Sequence, residues 1–315
     1  MVIGPNGSGK TSLIQALLRL RALAGLPLGT APSNPSGRMG GSAEIAWALA
    51  PPFDHLKAVM SCVSETQCDF LQIIRTAGQG TLSAEEWNGL RMRLRSIRAF
   101  SFDHHAIAQT ADRESHERLS SDGGNLAAVV AGWREQSPPA FAELNHAVCR
   151  ILPEYDSVEI LPVGAAQVQL GLRLAEEQVV LAAEHLSQGT LYVLALLALA
   201  HDPNPPAVVC VEEIDRGIHP RLLREVRDAL YQLVYPDTGS AAKRTAGQII
   251  ATTHSPYLLD LFRDHPEEVV IAEKKGSVAA FSRLSDRTDL AEIMADGALG
   301  DLWYSGVLGG VPEAS

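Results

Sequence analysis

Residues 1–12 read MVIGPNGSGKTS, and the residues that follow, LIQALLRLRAL, carry apolar side chains at helical spacing. Gly4, four residues, then Gly9, Lys10 and Thr11 make a phosphate-binding loop set between the apolar stub Val2-Ile3 and a helix. Gly4, Gly7 and Gly9 let the backbone fold tightly enough to aim successive N–H groups inward, and the helix adds the positive end of its dipole. Pro5, Asn6 and Ser8 complete the loop, and Ser12 stands in the first turn of the helix. Lys10 is placed to reach the outer phosphates, and the Thr11 hydroxyl to meet a Mg²⁺ that bridges phosphate oxygens. A glycine-rich turn before a helix would be the plainer reading, but chance gives this pattern in about one chain in a hundred of this length. Only three residues precede Gly4 where a buried strand normally has five or six, so the expectation is that the chain begins later than the natural gene does.

At 315 residues the chain can bury a sizeable core. A net charge of −11 argues against a generally basic nucleic-acid surface and leaves room for a local groove. Cys62, Cys68, Cys149 and Cys210 lack CxxC spacing, which suggests neither a disulfide framework nor a zinc site and fits a reducing, cytoplasmic setting. The apolar run Leu191–Ala200 has about half the length of a membrane span and reads as a core helix.

A second strong signal is PPAVVCVEEIDRGIHPRLL, residues 205–223. Ala207–Val211 is an uninterrupted apolar run of the kind found in a buried parallel strand, and it ends in Glu212-Glu213. Two carboxylates there cost several kcal/mol, roughly, unless something cationic compensates them. Mg²⁺ would do so, with Glu212 supporting the metal and Glu213 orienting and deprotonating an attacking water. The strand-to-site pattern recurs in GQIIATTHSPYLLDLF, where His254 ends an apolar stretch and, uncharged, can donate one hydrogen bond to a γ-phosphate oxygen. Leu186-Ser187-Gln188-Gly189-Thr190 opens the apolar helix with a small hydroxyl residue and a glycine, a second anion-binding device suited to a phosphate on another subunit.

Between these signals, residues 25–42 are rich in Gly, Pro and Ser and read as an exposed loop, and AEIAWALA as a strand. Residues 54–78 carry apolar positions at helical spacing, and Ser83 with Glu86 has the spacing of a capping box opening another helix. Arg91, Arg93, Arg95 and Arg98 read as a solvated helix face, and His104-His105 as a surface pair. Residues 119–133, with Asn125 or Asp122 available to start a helix, and the helix read over residues 140–152 lead to two or three strands at the start of 157–190 and, after His254, to a hairpin turning at Lys275-Gly276. The expected organisation is therefore a core of residues 1–43 and 151–315 with a mainly helical insertion, or lid, over 44–150.

The order GPNGSGKT, LSQGT, VVCVEEID, TTHSP resembles the ATPase heads of the ABC type, in the soluble branch that includes RecF, SMC and OLD-like proteins and many predicted AAA-type ATPases. The resemblance implies an α/β P-loop NTPase fold with a mainly parallel core sheet. It makes residues 4–12 the Walker A loop, Ser187 and Gly189 the signature, Glu212 and Glu213 the Walker B pair and His254 the switch histidine, with Asp215 and His219 as interface candidates. Departures are Glu212 in place of Asp, Gln188-Gly189-Thr190 in place of GGQ, and the absence of the strands that support adenine in that family. Gln67 and Gln109 both stand as Q-loop candidates. The implied activity is Mg²⁺-dependent hydrolysis of ATP to ADP and phosphate between two copies of the chain in an ATP-dependent head-to-tail dimer, without a membrane. A nucleotide-gated binding module with negligible turnover is the alternative. DNA repair, or phage defence with a partner nuclease, with or without bound DNA, are the processes such heads serve.

Overall fold

The computed structural model describes residues 1–25, 43–62, 68–76, 82–235, 247–276 and 278–309. The chain falls into two compact units, one of Met1–Thr11, Ala99–Pro205 and Val209–Ser315, the other of Ser12–Arg98 and Pro206–Val208.

The first unit is built on a six-stranded, mainly parallel sheet. Its strands, in chain order, are β1 (Val2–Ile3), β5 (Arg98–Phe100), β10 (Val208–Val211), β11 (Gln248–Thr253), β12 (Val270–Lys275) and β13 (Val278–Arg283). Across the sheet they run β13-β12-β1-β11-β10-β5. The stub β1 is central and pairs in parallel with both neighbours, Ile3 lying opposite Thr253 on β11 and Ile271 on β12. Val2 and Ile3 are fully buried, which is why two apolar residues suffice to hold the strand in place.

Helix α6 (Gln188–Ala200) is apolar on every side, and every residue from Thr190 to Ala200 is buried. An all-round apolar helix has to lie inside a protein. Around it pack α4 (Leu126–Gln136), α5 (Pro138–Ile151) and α7 (Pro220–Val234), which share one apolar core with Ile3 and Val209. An antiparallel sheet, β6 (Ala111–Asp112), β8 (Gln167–Leu174) and β7 (Tyr155–Val163), with β9 (Val180–Ala182) on β8, closes the same core through Val158, Leu170 and Leu172. The histidine pair opens the short helix α3 (His104–Ile107), and α8 (Pro256–Asp260), α9 (Leu290–Asp296) and α10 (Leu299–Tyr304) complete the unit. The segment after the hairpin thus holds two helices, separated by Gly297-Ala298.

The second unit holds most of α1 (Lys10–Leu23), the antiparallel sheet β2 (Ala43–Ala48), β3 (Leu56–Cys62) and β4 (Cys68–Arg75), and α2 (Ala84–Arg95). The helix expected over residues 54–78 is therefore replaced by two strands of a meander. Leu56, Ala58 and Met60 alternate with half-buried neighbours at period two, and this short-range pattern prevails over the helical spacing of the longer window. Cys62 is disulfide-bonded, against the expectation from cysteine spacing, and its register partner across the strands is Cys68. Cys149 and Cys210 are free. The capping box forms as its spacing dictates: Ser83 Oγ accepts from the Glu86 N–H at 3.1 Å and Glu86 Oε2 from the Ser83 N–H at 2.9 Å. The loop expected over 25–42 lies outside the described residues from residue 26 onward. Among the described residues no helix is long and apolar enough to cross a membrane.

Candidate nucleotide site

The register of three parallel strands gathers the sequence motifs at one end of the main sheet. Because Ile3 pairs with Thr253, Gly4 leaves β1 at the level where His254 leaves β11. The loop that begins there is shaped by glycine: Gly7 and Gly9 have φ of +77° and +96°, values L side chains rarely adopt. Gly4 is fixed by space as well, since a Cβ on it would lie 2.2 Å from the Ala272 carbonyl oxygen of β12. Over Gly7, by contrast, a Cβ would meet nothing within 4 Å, so the loop is open on that side.

Lys10, only 8% exposed, is folded back so that Nζ donates to the carbonyls of Gly4 at 2.7 Å and Pro5 at 2.9 Å. Burial pushes its pKa down, and the Glu213 carboxylate pulls the other way. Ser8 is 1% exposed, and its Oγ is a buried hydroxyl with no hydrogen-bond partner. Such an orphan is costly unless a ligand completes it. An oxyanion at the open side of the loop is the chemistry that would satisfy Ser8 and draw Lys10 from its two carbonyls.

Thr11, in the first turn of α1, donates from Oγ1 to Glu212 Oε2 at 3.1 Å. This bond joins the two residues expected at the metal, 201 positions apart in the chain. A hydroxyl and a carboxylate at that distance, beside a phosphate loop, form a hard oxygen donor set that fits Mg²⁺ with water in its remaining positions. Glu212 is held from the other side by its own N–H, which donates to the Phe100 carbonyl at 2.9 Å.

Glu213 sits in the left-handed region, with φ of +49°, one of only two non-glycine residues with positive φ among the described residues. A backbone of this kind costs on the order of 1–3 kcal/mol and persists only where its surroundings impose it. The surroundings are visible: the Glu213 N–H donates to Thr252 Oγ1 at 3.0 Å and the Ile214 N–H to the Thr252 carbonyl at 3.0 Å. Thr253 Oγ1 then donates to Asp215 at 2.5 Å and accepts from the Ser255 N–H at 2.9 Å. The two threonines of β11 thus pin the turn after β10, and the Glu213 side chain projects outward with Arg216 Nε 4.0 Å away. Their role was missed in the motif reading, although two adjacent hydroxyl residues at the end of a buried strand were the available signal.

His254 is half-buried, and its pKa is lowered by burial and then by Lys10, against the opposing pull of Asp215 and Glu213. The imidazole is therefore neutral at neutral pH, with one donor and one acceptor nitrogen. Ser187 and Gly189 stand elsewhere in the unit. Ser187 caps α6, its Oγ accepting from the Thr190 N–H at 3.1 Å, and a Cβ on Gly189 would lie 2.6 Å from the Gly217 carbonyl oxygen. Their contacts run to α6 and to the turn after β10, and both residues are at least partly exposed. His219 caps α7, its Nδ1 accepting from the Arg221 N–H at 3.2 Å. Gln109 is exposed just past α3, and Gln67 lies outside the described residues.

Residues 82–260 match the protein family described as "AAA domain, putative AbiEii toxin, Type IV TA system". The match covers more than half of the chain and includes Ser187, Gly189, Glu212, Glu213 and His254, while the phosphate loop lies ahead of it. Among curated proteins no sequence matches. Among solved structures, the SMC head bound to the C-winged-helix domain of ScpA superposes with a TM-score of 0.56 at 14% identity, over 89% of this chain and 88% of that one. The Smc head with an extended coiled coil bound to the C-terminal domain of ScpA, from Pyrococcus furiosus, gives 0.51 at 12% identity, over 93% and 92%. At these identities the likeness is one of fold, shared with these SMC heads.

Proposed function

From the premise that the chain belongs to this AAA-domain family and has the fold of a P-loop ATPase head, we propose that it binds ATP and hydrolyses it to ADP and phosphate with Mg²⁺. The observation that carries this is the Thr11–Glu212 hydrogen bond, which brings the first and third sequence motifs to one point beside the phosphate loop.

In the proposed reaction the loop from Gly4 to Ser12 cradles the phosphates with its N–H groups and with the helix dipole of α1. Lys10 leaves the Gly4 and Pro5 carbonyls for the outer phosphates, and the Ser8 hydroxyl gains the partner it lacks. Thr11 and Glu212 would hold Mg²⁺, whose contribution when bound is to neutralise charge on the phosphate oxygens. Glu213 takes a proton from the attacking water, in a position its strained backbone fixes in advance. His254, neutral, donates to the γ-phosphate oxygen and so distinguishes ATP from ADP.

The partial exposure of Ser187 and Gly189 supports a composite site, in which each copy's α6 start meets the nucleotide held by the other. Closure of two copies around ATP would then be the mechanical output. The family's description as part of a toxin–antitoxin system favours a defence-type partner process over DNA repair. Steady-state phosphate release at saturating ATP and Mg²⁺ tests the enzymatic reading. Wild type should turn over many times and Glu213→Gln should release phosphate at least about a hundredfold more slowly while still binding ATP. Equal rates in the two proteins remove the role given to Glu213, and binding without turnover in wild type makes the chain a nucleotide-gated module.

A further inference from the structure

The proposed reaction uses one side of the phosphate loop. His254 follows β11 and the two glutamates follow β10, and both strands lie on the same side of β1 in the sheet. A nucleoside triphosphate whose γ-phosphate is read there has to extend its nucleoside away from them, toward β12 and β13. What it meets on that side is an exposed strand. β13 is the end strand of the sheet, paired only with β12 among the described residues, and all six of its residues are exposed.

One of them is an aromatic ring placed against the loop itself. A Cβ built on Gly9 would lie 2.8 Å from the Ala279 Cβ and 3.5 Å from the Phe281 Cζ, so these two residues, two apart and on one face of β13, close over Gly9. The alanine allows the approach, and the ring beyond it keeps 41% of its surface exposed. A large apolar ring left open beside a loop built for phosphate has the chemistry to stack a nucleotide base, since every base offers a π-face.

Resting on the nucleotide-binding reading above, we propose that Phe281 is the platform on which the base of the bound nucleoside triphosphate stacks. Phosphate recognition by the loop and base recognition by β13 are then separable. The strand sets where the base lies, and Gly9 keeps the space between the two groups free of a side chain.

The test is calorimetric titration of the full chain, with Mg²⁺, using two probes: the non-hydrolysable ATP analogue adenylyl-imidodiphosphate and inorganic tripolyphosphate, which has no base. Phe281→Ala should weaken the analogue by about tenfold and leave tripolyphosphate unchanged. Phe281→Tyr should bind both as wild type does. Val278→Ala, at a position 65% exposed on the opposite face of the same strand, should also bind both normally. Equal losses for the two probes in Phe281→Ala, or no loss for either, overturn the platform. A wild type that binds tripolyphosphate as tightly as the analogue overturns it as well and leaves the phosphate loop intact. A wild type that binds neither probe removes the nucleotide-binding reading, and the platform with it.

Discussion

The capping box of the second unit and the phosphate loop of the first treat their polar groups in opposite ways. In the second unit, Glu86 accepts from the Ser83 backbone and pairs with Arg75 at 2.8 Å and His55 at 3.3 Å, so that its carboxyl is held down at about 2. Arg91 likewise spends its guanidinium on the Ala24 and Gly25 carbonyls, each at 2.9 Å. In the first unit, Ser8 has no partner, Lys10 is desolvated against two carbonyls, and Glu213 holds a backbone conformation that glycine would adopt without strain. Saturated groups stabilise a local structure. Groups left short of partners cost stability, and beside a phosphate loop the shortfall marks where a ligand belongs.

Substitutions that reverse these conditions should separate the units, the largest effect coming from the loop. Lys10→Ala should reduce ATP affinity by at least about a hundredfold, read by calorimetry, with little change in melting temperature because the lysine is not paired to a carboxylate in the free protein. Retained ATP affinity in that variant would show that Lys10 belongs with the saturated groups.

Ser83→Ala should act in the opposite sense, lowering stability by about 1 kcal/mol through loss of the cap and leaving ATP affinity unchanged. Its effect should depend on pH. The Glu86 carboxyl is depressed from an ordinary 4.5 to about 2, so its contribution is complete above 4.5 and is lost as pH falls through about 2. The stability difference between the variant and wild type, followed by circular dichroism in denaturant, should therefore narrow across that window. The smallest effect on stability is expected at Glu213→Gly, which should raise it by up to about 1 kcal/mol by relieving the left-handed backbone, while abolishing turnover. A loss of stability there would mean that the conformation is not strained.

The legible parts of the molecule were those in which one residue type has one physical use. Gly4, Gly7 and Gly9 announce a tight loop, the run ending in Glu212-Glu213 announces a buried strand with a charged end, and Ser83 with Glu86 announces a helix start. Illegible were features that depend on partners far away in sequence. Residues 56–62 and 68–75 carry apolar side chains compatible with both periods, and the pairing of β3 with β2 and of β4 with β3 makes them strands. The fixing of Glu213 by Thr252 and the approach of Phe281 to Gly9 follow from strand order, which a linear pattern does not contain.

The composite site is tested most directly by light scattering of the full chain and of Glu213→Gln and Lys10→Ala, with Mg²⁺, in the presence and absence of ATP. Glu213→Gln should double in mass only with ATP, wild type should do so transiently, and Lys10→Ala should remain a monomer throughout. A mass that is the same with and without ATP in Glu213→Gln would contradict a nucleotide site completed by a second copy.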